Sequence, residues 1–188
     1  MSATFDPCFD TVLAAAKTGD GRAFEQLYRA LNRRVAAFAK ARNAADPTGV
    51  VNDVFLKVFS DLPNFSGGEP QFSAWVFRIA RHQLIDEARK ANRRPQEISS
   101  EGLSIHELAN RDNVESEALS QLGAEGILRH FDSLTGEQRD AVLLRVVSDL
   151  TVEAVAEILG KRAGAVKALQ RRAFRALAKE ISGSAVPL

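Results

Sequence analysis

Seven basic side chains follow Gly160 against a single acid, Glu180. Lys167, Arg171 and Arg175 recur at every fourth residue, with Arg172 beside them and Arg162 ahead of them. On an α-helix a step of four residues drifts only about 40° around the axis, so this series shares one face. A row of guanidinium and ammonium groups is chemistry for a polyanion: it holds phosphate oxygens, and arginine can also grip a guanine edge with two hydrogen bonds. Val166, Leu169, Ala173, Leu177 and Ile181 form an apolar stripe on the other side, so the same helix has a face to bury. A merely solvated charged face is the plain alternative, and the residues upstream weigh against it. Thr151 caps a short helix running to Leu159, in which Val155 and Leu159 meet Val166 and Leu169. Ala156 is small where the helices cross, and Gly160 supplies the left-handed turn. That is a helix-turn-helix, whose second helix fits a major groove about 12 Å wide. Lys161 departs from the pattern, standing where an apolar residue usually plugs the turn.

A second group lies upstream. Phe65, Phe72, Trp75 and Phe77 cluster around Ser66-Gly67-Gly68, beside a helix carrying Arg78, Arg81 and Arg89. Aromatic faces next to a basic track can receive unstacked bases, at roughly 1–3 kcal/mol per base. Trp75 and Phe77 read first as core residues; Phe65 and Phe72 stay open between packing and base contact. Nothing points to catalysis. His82, His106 and His130 are scattered, with no carboxylate pair, nucleophile motif or phosphate loop beside them, so no catalytic residue, metal or cofactor is expected. Cys8, the lone cysteine, rules out an internal disulfide and reads as inert.

The elements that must hold these groups are helices, and the fold class expected is all-α: two small helical domains joined by a flexible acidic linker. Phe24, Leu27, Tyr28, Leu31, Val35 and Phe38 follow the 3.6-residue period; so do Val51, Val54, Phe55, Val58 and Phe59, up to a stop near Leu62-Pro63. NFSGGEP is a loop, and a helix from about Gln71 to Ala91 turns Trp75, Val76, Ile79 and Ala80 inward. A weaker helix covers Thr11–Lys17. Thr135 and Gln138 form a capping box for another helix. The domains expected are 1–94, a linker over 95–117 with at most a brief helix around Ile105–Ala109, and 118–188. Net charge is +1 overall, yet it is unevenly spread: residues 1–94 hold 14 Lys/Arg against 10 Asp/Glu, 95–126 hold one against seven, and 127–188 hold 10 against seven. Basic modules flank an acidic middle. No run approaches the roughly 18 apolar residues of a membrane span, and the N-terminus lacks the pattern of a signal peptide. A cytoplasmic protein without membrane contact is expected.

The two modules in this order resemble an extracytoplasmic-function sigma factor, the smallest type of sigma-70-like initiation factor of bacterial RNA polymerase. The resemblance covers about 10–94 and 118–182. VVNDVFLKVF resembles the segment that docks on core polymerase, FSGGEPQFSAWVFRIARHQLIDEAR the one that melts and reads the minus-10 element, and LTVEAVAEILGKRAGAVKALQRRA the minus-35 reader. It implies core RNA polymerase (β′ clamp helices and β flap) and promoter DNA as partners, and it admits an anti-sigma factor. Val51, Asp53, Phe55, Leu56 and Lys57 would lie on the polymerase surface. Phe65–Phe72 would hold a flipped minus-10 base, and His82 stands where the family often has a base-contacting Asn. Lys167, Ala168, Arg171 and Arg172 fall on the minus-35 stretch. Pro47-Thr48-Gly49 replaces an acidic pair usual before the docking segment, Asn52 replaces a common Gln, and Ala168-Leu169 replaces a polar–basic pair. The acidic linker is a soluble tether, or, with Glu97, Glu101, Glu107, Asp112, Glu115 and Glu117 in the RNA channel, a mimic of the transcript. Outside the resemblance stand a free helix-turn-helix repressor with a helical sensor domain and, less well supported, an enzyme acting on nucleic acid.

Overall fold

The computed structural model describes residues 9–93 and 130–184, with backbone alone at 91–93 and 181–184. All regular structure in these residues is helical. Four helices form the first module: α1 (Phe9–Lys17), α2 (Gly21–Ala41), α3 (Pro47–Asp61) and α4 (Glu69–Arg93), with a 3-10 turn at Leu62–Asn64. A 3-10 turn at Phe131–Ser133 leads into the second module, α5 (Gly136–Val146), α6 (Val152–Leu159) and α7 (Ala163–Ser184). The linker, its brief helix, its six acids, Cys8, His106 and the stretch after Ala118 up to 129 lie outside the described residues.

Local chemistry sets the ends. Asp20 caps α2 by accepting from the backbone N–H of Arg22 and Ala23. Asp46 caps α3, its Oδ1 accepting from Gly49 N at 2.9 Å, and Pro47 opens the helix where a missing N–H costs nothing. Pro47-Thr48-Gly49, the departure noted above, is therefore the first turn of α3. Pro70 plays the same part in α4, which begins at Glu69, two residues before the expected Gln71. The loop shrinks to Phe65–Gly68.

Leu27, Leu31, Val35 and Phe38 of α2, Val50, Val54 and Val58 of α3, and Phe72, Val76, Phe77 and Ala80 of α4 are all fully buried. Each large apolar side chain so removed from water contributes about 1.5–3 kcal/mol. In the second module Leu143, Leu144, Val155 and Val166 form the centre. Ile158 is buried there, while Leu159, expected inward, is half-buried. Thr135 and Gln138 make the reciprocal capping box, and Thr151 caps α6 through Ala154 N.

The two modules also touch. Asp140 on α5 is 3% exposed and reaches two arginines of the first module. Arg34 on α2 donates from Nε to the carbonyl of Val147 at 3.2 Å, and from its terminal nitrogen to that of Ser148, at the C-terminal end of α5. Cations are favoured at such an end, where unpaired carbonyls collect. The same guanidinium lies 5.8 Å from the Phe77 ring centre.

Candidate nucleic-acid interface

The helix-turn-helix is built as its residues demand. Gly160 ends α6 at φ +64°, and Lys161 N donates to the carbonyl of Ala156 at 2.8 Å to close the turn. Lys161 is half-buried, and its ammonium pairs with Glu137 at 2.8 Å. An ion pair to α5 thus replaces the apolar plug. The hydrogen bond from Lys161 holds the Glu137 carboxyl below its ordinary range. Gln170 Nε2 donates to the carbonyl of Ala141 at 3.1 Å and locks α7 against α5.

That leaves the opposite side of α7 in solvent. Arg162, Lys167, Arg171, Arg172 and Arg175 are exposed, Ala168 is half-buried, and Val166, Leu169 and Ala173 are buried. Lys167, Arg171, Arg172 and Arg175 share the open face of α7, with the apolar stripe packed beneath it, and Arg162 is exposed just before the helix begins. Arg172 Nε donates to the carbonyl of Ala168 at 3.3 Å, a weak bond that a phosphate can replace.

The aromatic group is arranged less openly. Phe72 is fully buried, with ring centres of Phe9, Phe65 and Trp75 at 5.7, 5.5 and 5.9 Å. It is a core residue, and a base cannot reach it without displacing those rings. Phe65 is half-buried and stacks on Trp75 at 4.9 Å. Its carbonyl accepts a hydrogen bond from Lys17 Nζ of α1, so the loop is moored at its start. Gly67 has φ +142°, and a Cβ there would lie 2.8 Å from that of Gln71; only glycine fits both constraints. Ser66 is exposed and Gly68 half-buried, its carbonyl accepting from Phe72 N at 2.9 Å to start α4.

Along α4, His82 and Arg89 are exposed, Arg89 in a loose pair with Asp86 at 3.5 Å. Arg81 is not open, and Arg78, though 38% exposed, is engaged in an ion pair. Arg78 pairs with Glu157 of α6, and Arg81 Nε donates to Asp140 Oδ2 at 2.9 Å. No local signal pairs residues 59 and 79 positions apart, so the sequence reading missed both.

On α3 the five expected docking residues divide by face. Val51 and Phe55 are buried and hold the helix; Asp53, Leu56 and Lys57 face outward. Leu56 is 67% exposed and Phe59 53%. Phe59 was assigned to the helix but not to the surface, although its place three residues after Leu56 on a helix offered the clue. Gln83 donates to Asp53 at 2.9 Å, and Lys57 pairs with Asp61 at 2.9 Å. Leu56 and Phe59 are thus two exposed apolar groups flanked by charge, with the Phe59 ring edge-on to Phe24 at 4.9 Å.

Comparison with known proteins gives two family matches: residues 27–94 match Sigma-70 region 2, and residues 125–177 match Sigma-70, region 4. The ECF RNA polymerase sigma factor BldN of Streptomyces coelicolor is 28% identical over 166 residues, 87% of this chain and 62% of BldN. This chain thus spans somewhat under two thirds of that relative's length. The ECF RNA polymerase sigma factor ShbA of Streptomyces griseus is 32% identical over 138 residues, 70% of this chain and 71% of ShbA. Among solved structures, the sigma factor RpoE in complex with the anti-sigma factor NepR, from Bartonella quintana, has a similar fold: TM-score 0.64, 20% identity, 87% of this chain and 99% of that one.

Proposed function

Starting from the membership of this chain in the ECF sigma factors of the sigma-70 family, we propose how its surfaces divide the work of directing RNA polymerase to promoters. The outward stripe of α3, with Asp53, Leu56 and Lys57 and now Phe59, docks on the β′ clamp helices. The Phe65–Gly68 loop receives a flipped minus-10 base against the Phe65–Trp75 stack, His82 contacts a neighbouring base, and Arg78, Arg81 and Arg89 track the backbone. Phe72 supports the loop from below. In the second module Arg171 and Arg172 read the minus-35 element, with Arg162, Lys167 and Arg175 on phosphates and Ala168 against the groove. Residues 1–94 and 118–188 act as the two modules and 95–117 as their linker.

One observation carries this reading: a single chain presents an exposed apolar stripe on α3 and an exposed basic face on α7. A free-standing repressor uses the second and has no need of the first. The factor works in the cytoplasm, where polymerase and promoter are. Because RpoE of Bartonella quintana has been solved with the anti-sigma factor NepR, an anti-sigma partner is part of the proposal.

The test is retention on immobilised core polymerase followed by run-off transcription. The chain should be retained and should start RNA at a cognate promoter. Arg171→Ala with Arg172→Ala should keep retention and lose minus-35-dependent initiation, since a bidentate Arg–guanine contact is worth about 1–3 kcal/mol. Operator binding without polymerase retention would establish the repressor instead.

A further inference from the structure

Lys17, in the last turn of α1, is half-buried, and its ammonium donates to the carbonyl of Phe65, 48 residues further along the chain. Both ends of that contact are fixed. Phe9, Leu13 and Ala16 bury the inner face of α1. Beyond Lys17 the backbone N–H groups of Thr18, Gly19 and Asp20 return to the carbonyls of Ala15, Ala16 and Ala15 at 3.1 Å. Phe65 has φ −69° and ψ 139°, its own N–H donates to the carbonyl of Leu62 at 3.1 Å, and its ring stacks on Trp75. Past Phe65 the support thins. Ser66 is exposed, Gly67 stands at φ +142°, and the next tie is the carbonyl of Gly68 at the start of α4. Two adjacent glycines give this stretch little conformational preference of its own. Among the described residues, Lys17 supplies the hydrogen bond that ties the loop to another helix. It also differs from the cations of the expected minus-10 track. Arg78, Arg81 and Arg89 each pair with a carboxylate, whereas no carboxylate pairs with Lys17 among the described residues.

From this we infer that Lys17 is the positioning residue of the minus-10 loop: by holding the Phe65 carbonyl it sets the path of Ser66-Gly67-Gly68 before a base arrives. The inference rests on the proposed reading that this loop captures a flipped base, and it adds the residue that prepares the loop for capture. A flexible loop must be ordered when it takes its ligand, and that ordering lowers affinity; fixing the loop in advance removes the cost. The peptide unit is planar, so turning the carbonyl of Phe65 turns the link to Ser66 with it. One hydrogen bond at this carbonyl therefore steers the first step of the loop. An ammonium carries three donors and suits the task, and its unneutralised charge favours a phosphate backbone at the same place. The net worth of one hydrogen bond, about two- to twelvefold in an equilibrium, sets the size of the effect.

The experiment uses holoenzyme assembled from core polymerase and the full chain. Fluorescence anisotropy measures a single-stranded oligonucleotide carrying the non-template minus-10 element of the run-off promoter, intact and with one nucleotide at a time made abasic. Unsubstituted protein should lose roughly 5- to 150-fold in affinity at the captured position, the range of one base on an aromatic face. Lys17→Met, which keeps the side-chain stem without its donor, should shrink the loss at that position by about two- to twelvefold and leave the losses at other positions as they were. Lys17→Gln should do the same, and Lys17→Arg should restore the original loss. Each loss is a ratio of two affinities from one preparation, so a partly unfolded variant still reports it. An undiminished loss in both Lys17→Met and Lys17→Gln would overturn the inference. A reduction spread evenly over every position would also overturn it, because a positioning role couples to one nucleotide alone. So would a reduction that Lys17→Arg shares in full, since the donor is then irrelevant. Failure of the underlying reading shows earlier, in unsubstituted holoenzyme: if no abasic position costs more than about twofold, the loop captures no base, and the inference goes with it.

Discussion

Phe72 and Phe65 flank the same loop, and the structure separates their parts sharply enough to measure. Phe72→Ala removes a fully buried ring that meets Phe9, Phe65 and Trp75 at 5.5–5.9 Å. Truncations of that kind cost about 3–5 kcal/mol, a large share of the roughly 5–15 kcal/mol that holds a domain together. With a urea slope of about 2 kcal/mol per molar, the unfolding midpoint should fall by about 2 M. Trp75 is the only tryptophan and stacks within the group, so its emission follows this module directly. Phe65 is half-buried, and Phe65→Ala should cost only about 1–2 kcal/mol. That variant stays folded, and its defect should appear in permanganate reactivity of unpaired thymines: slow opening on an intact template, near-normal initiation on a pre-melted one. Phe72→Leu, which keeps apolar volume without an aromatic face, should lose some stability yet open promoters normally. The reasoning is refuted if Phe72→Ala costs less than about 1.5 kcal/mol, or if Phe72→Leu opens promoters as poorly as Phe65→Ala.

Two further outcomes follow from local geometry. Gly160 sits at φ +64° with nothing within 4 Å of a would-be Cβ, so Gly160→Ala meets only backbone strain, about 1–2 kcal/mol; thermal melting should show the drop, with Gly160→Asn recovering part of it, and equal Tm for Ala and Gly would refute the strain. Glu137 is held below its ordinary 4.5 by its hydrogen bond from Lys161, and Asp132 below 3.8 by that from Asn43 and then Arg139. A depressed carboxylate contributes stability that is present above its unfolded pKa and is lost as pH falls through the folded one. Unfolding midpoints should therefore hold down to about pH 4.5 and decline below it, and Glu137→Gln should flatten part of that decline; superimposable acid limbs would count against the pairing.

What could be read in advance was whatever is encoded within a few residues. The period of Leu27, Leu31, Val35 and Phe38 requires a buried helix face, and Thr135 with Gln138 requires a helix start, because both effects act within one or two turns. Gly160 was legible for the same reason. The start of α4 was not, since Pro70 breaks a helix interior but is welcome in a first turn, and composition alone does not say which applies. Val51 and Phe55 lie within a segment whose family role is docking, yet burial is decided by what α2 and α4 bring opposite: Tyr28, for one, meets Phe55 edge-on at 4.7 Å. Asp140 was the least legible. An acid inside an amphipathic helix ordinarily faces water, and only the folded chain brings Arg42 and Arg81 to it.

The order of these partners along the chain has a consequence in time. Synthesis proceeds at about 5–20 residues per second, and Arg81 precedes Asp140 by 59 residues, an interval of about 3–12 s. For most of that interval α1 to α4 are complete, while the acid that meets Arg81 and Arg42 has yet to be added. The nascent first module emerges, still tethered to the ribosome, with both guanidinium groups lacking that acid and close to a large polyanion. Their acid partner arrives only when α5 emerges and folds, so a pause in translation between residues 93 and 140 lengthens the unpaired interval and a faster passage shortens it.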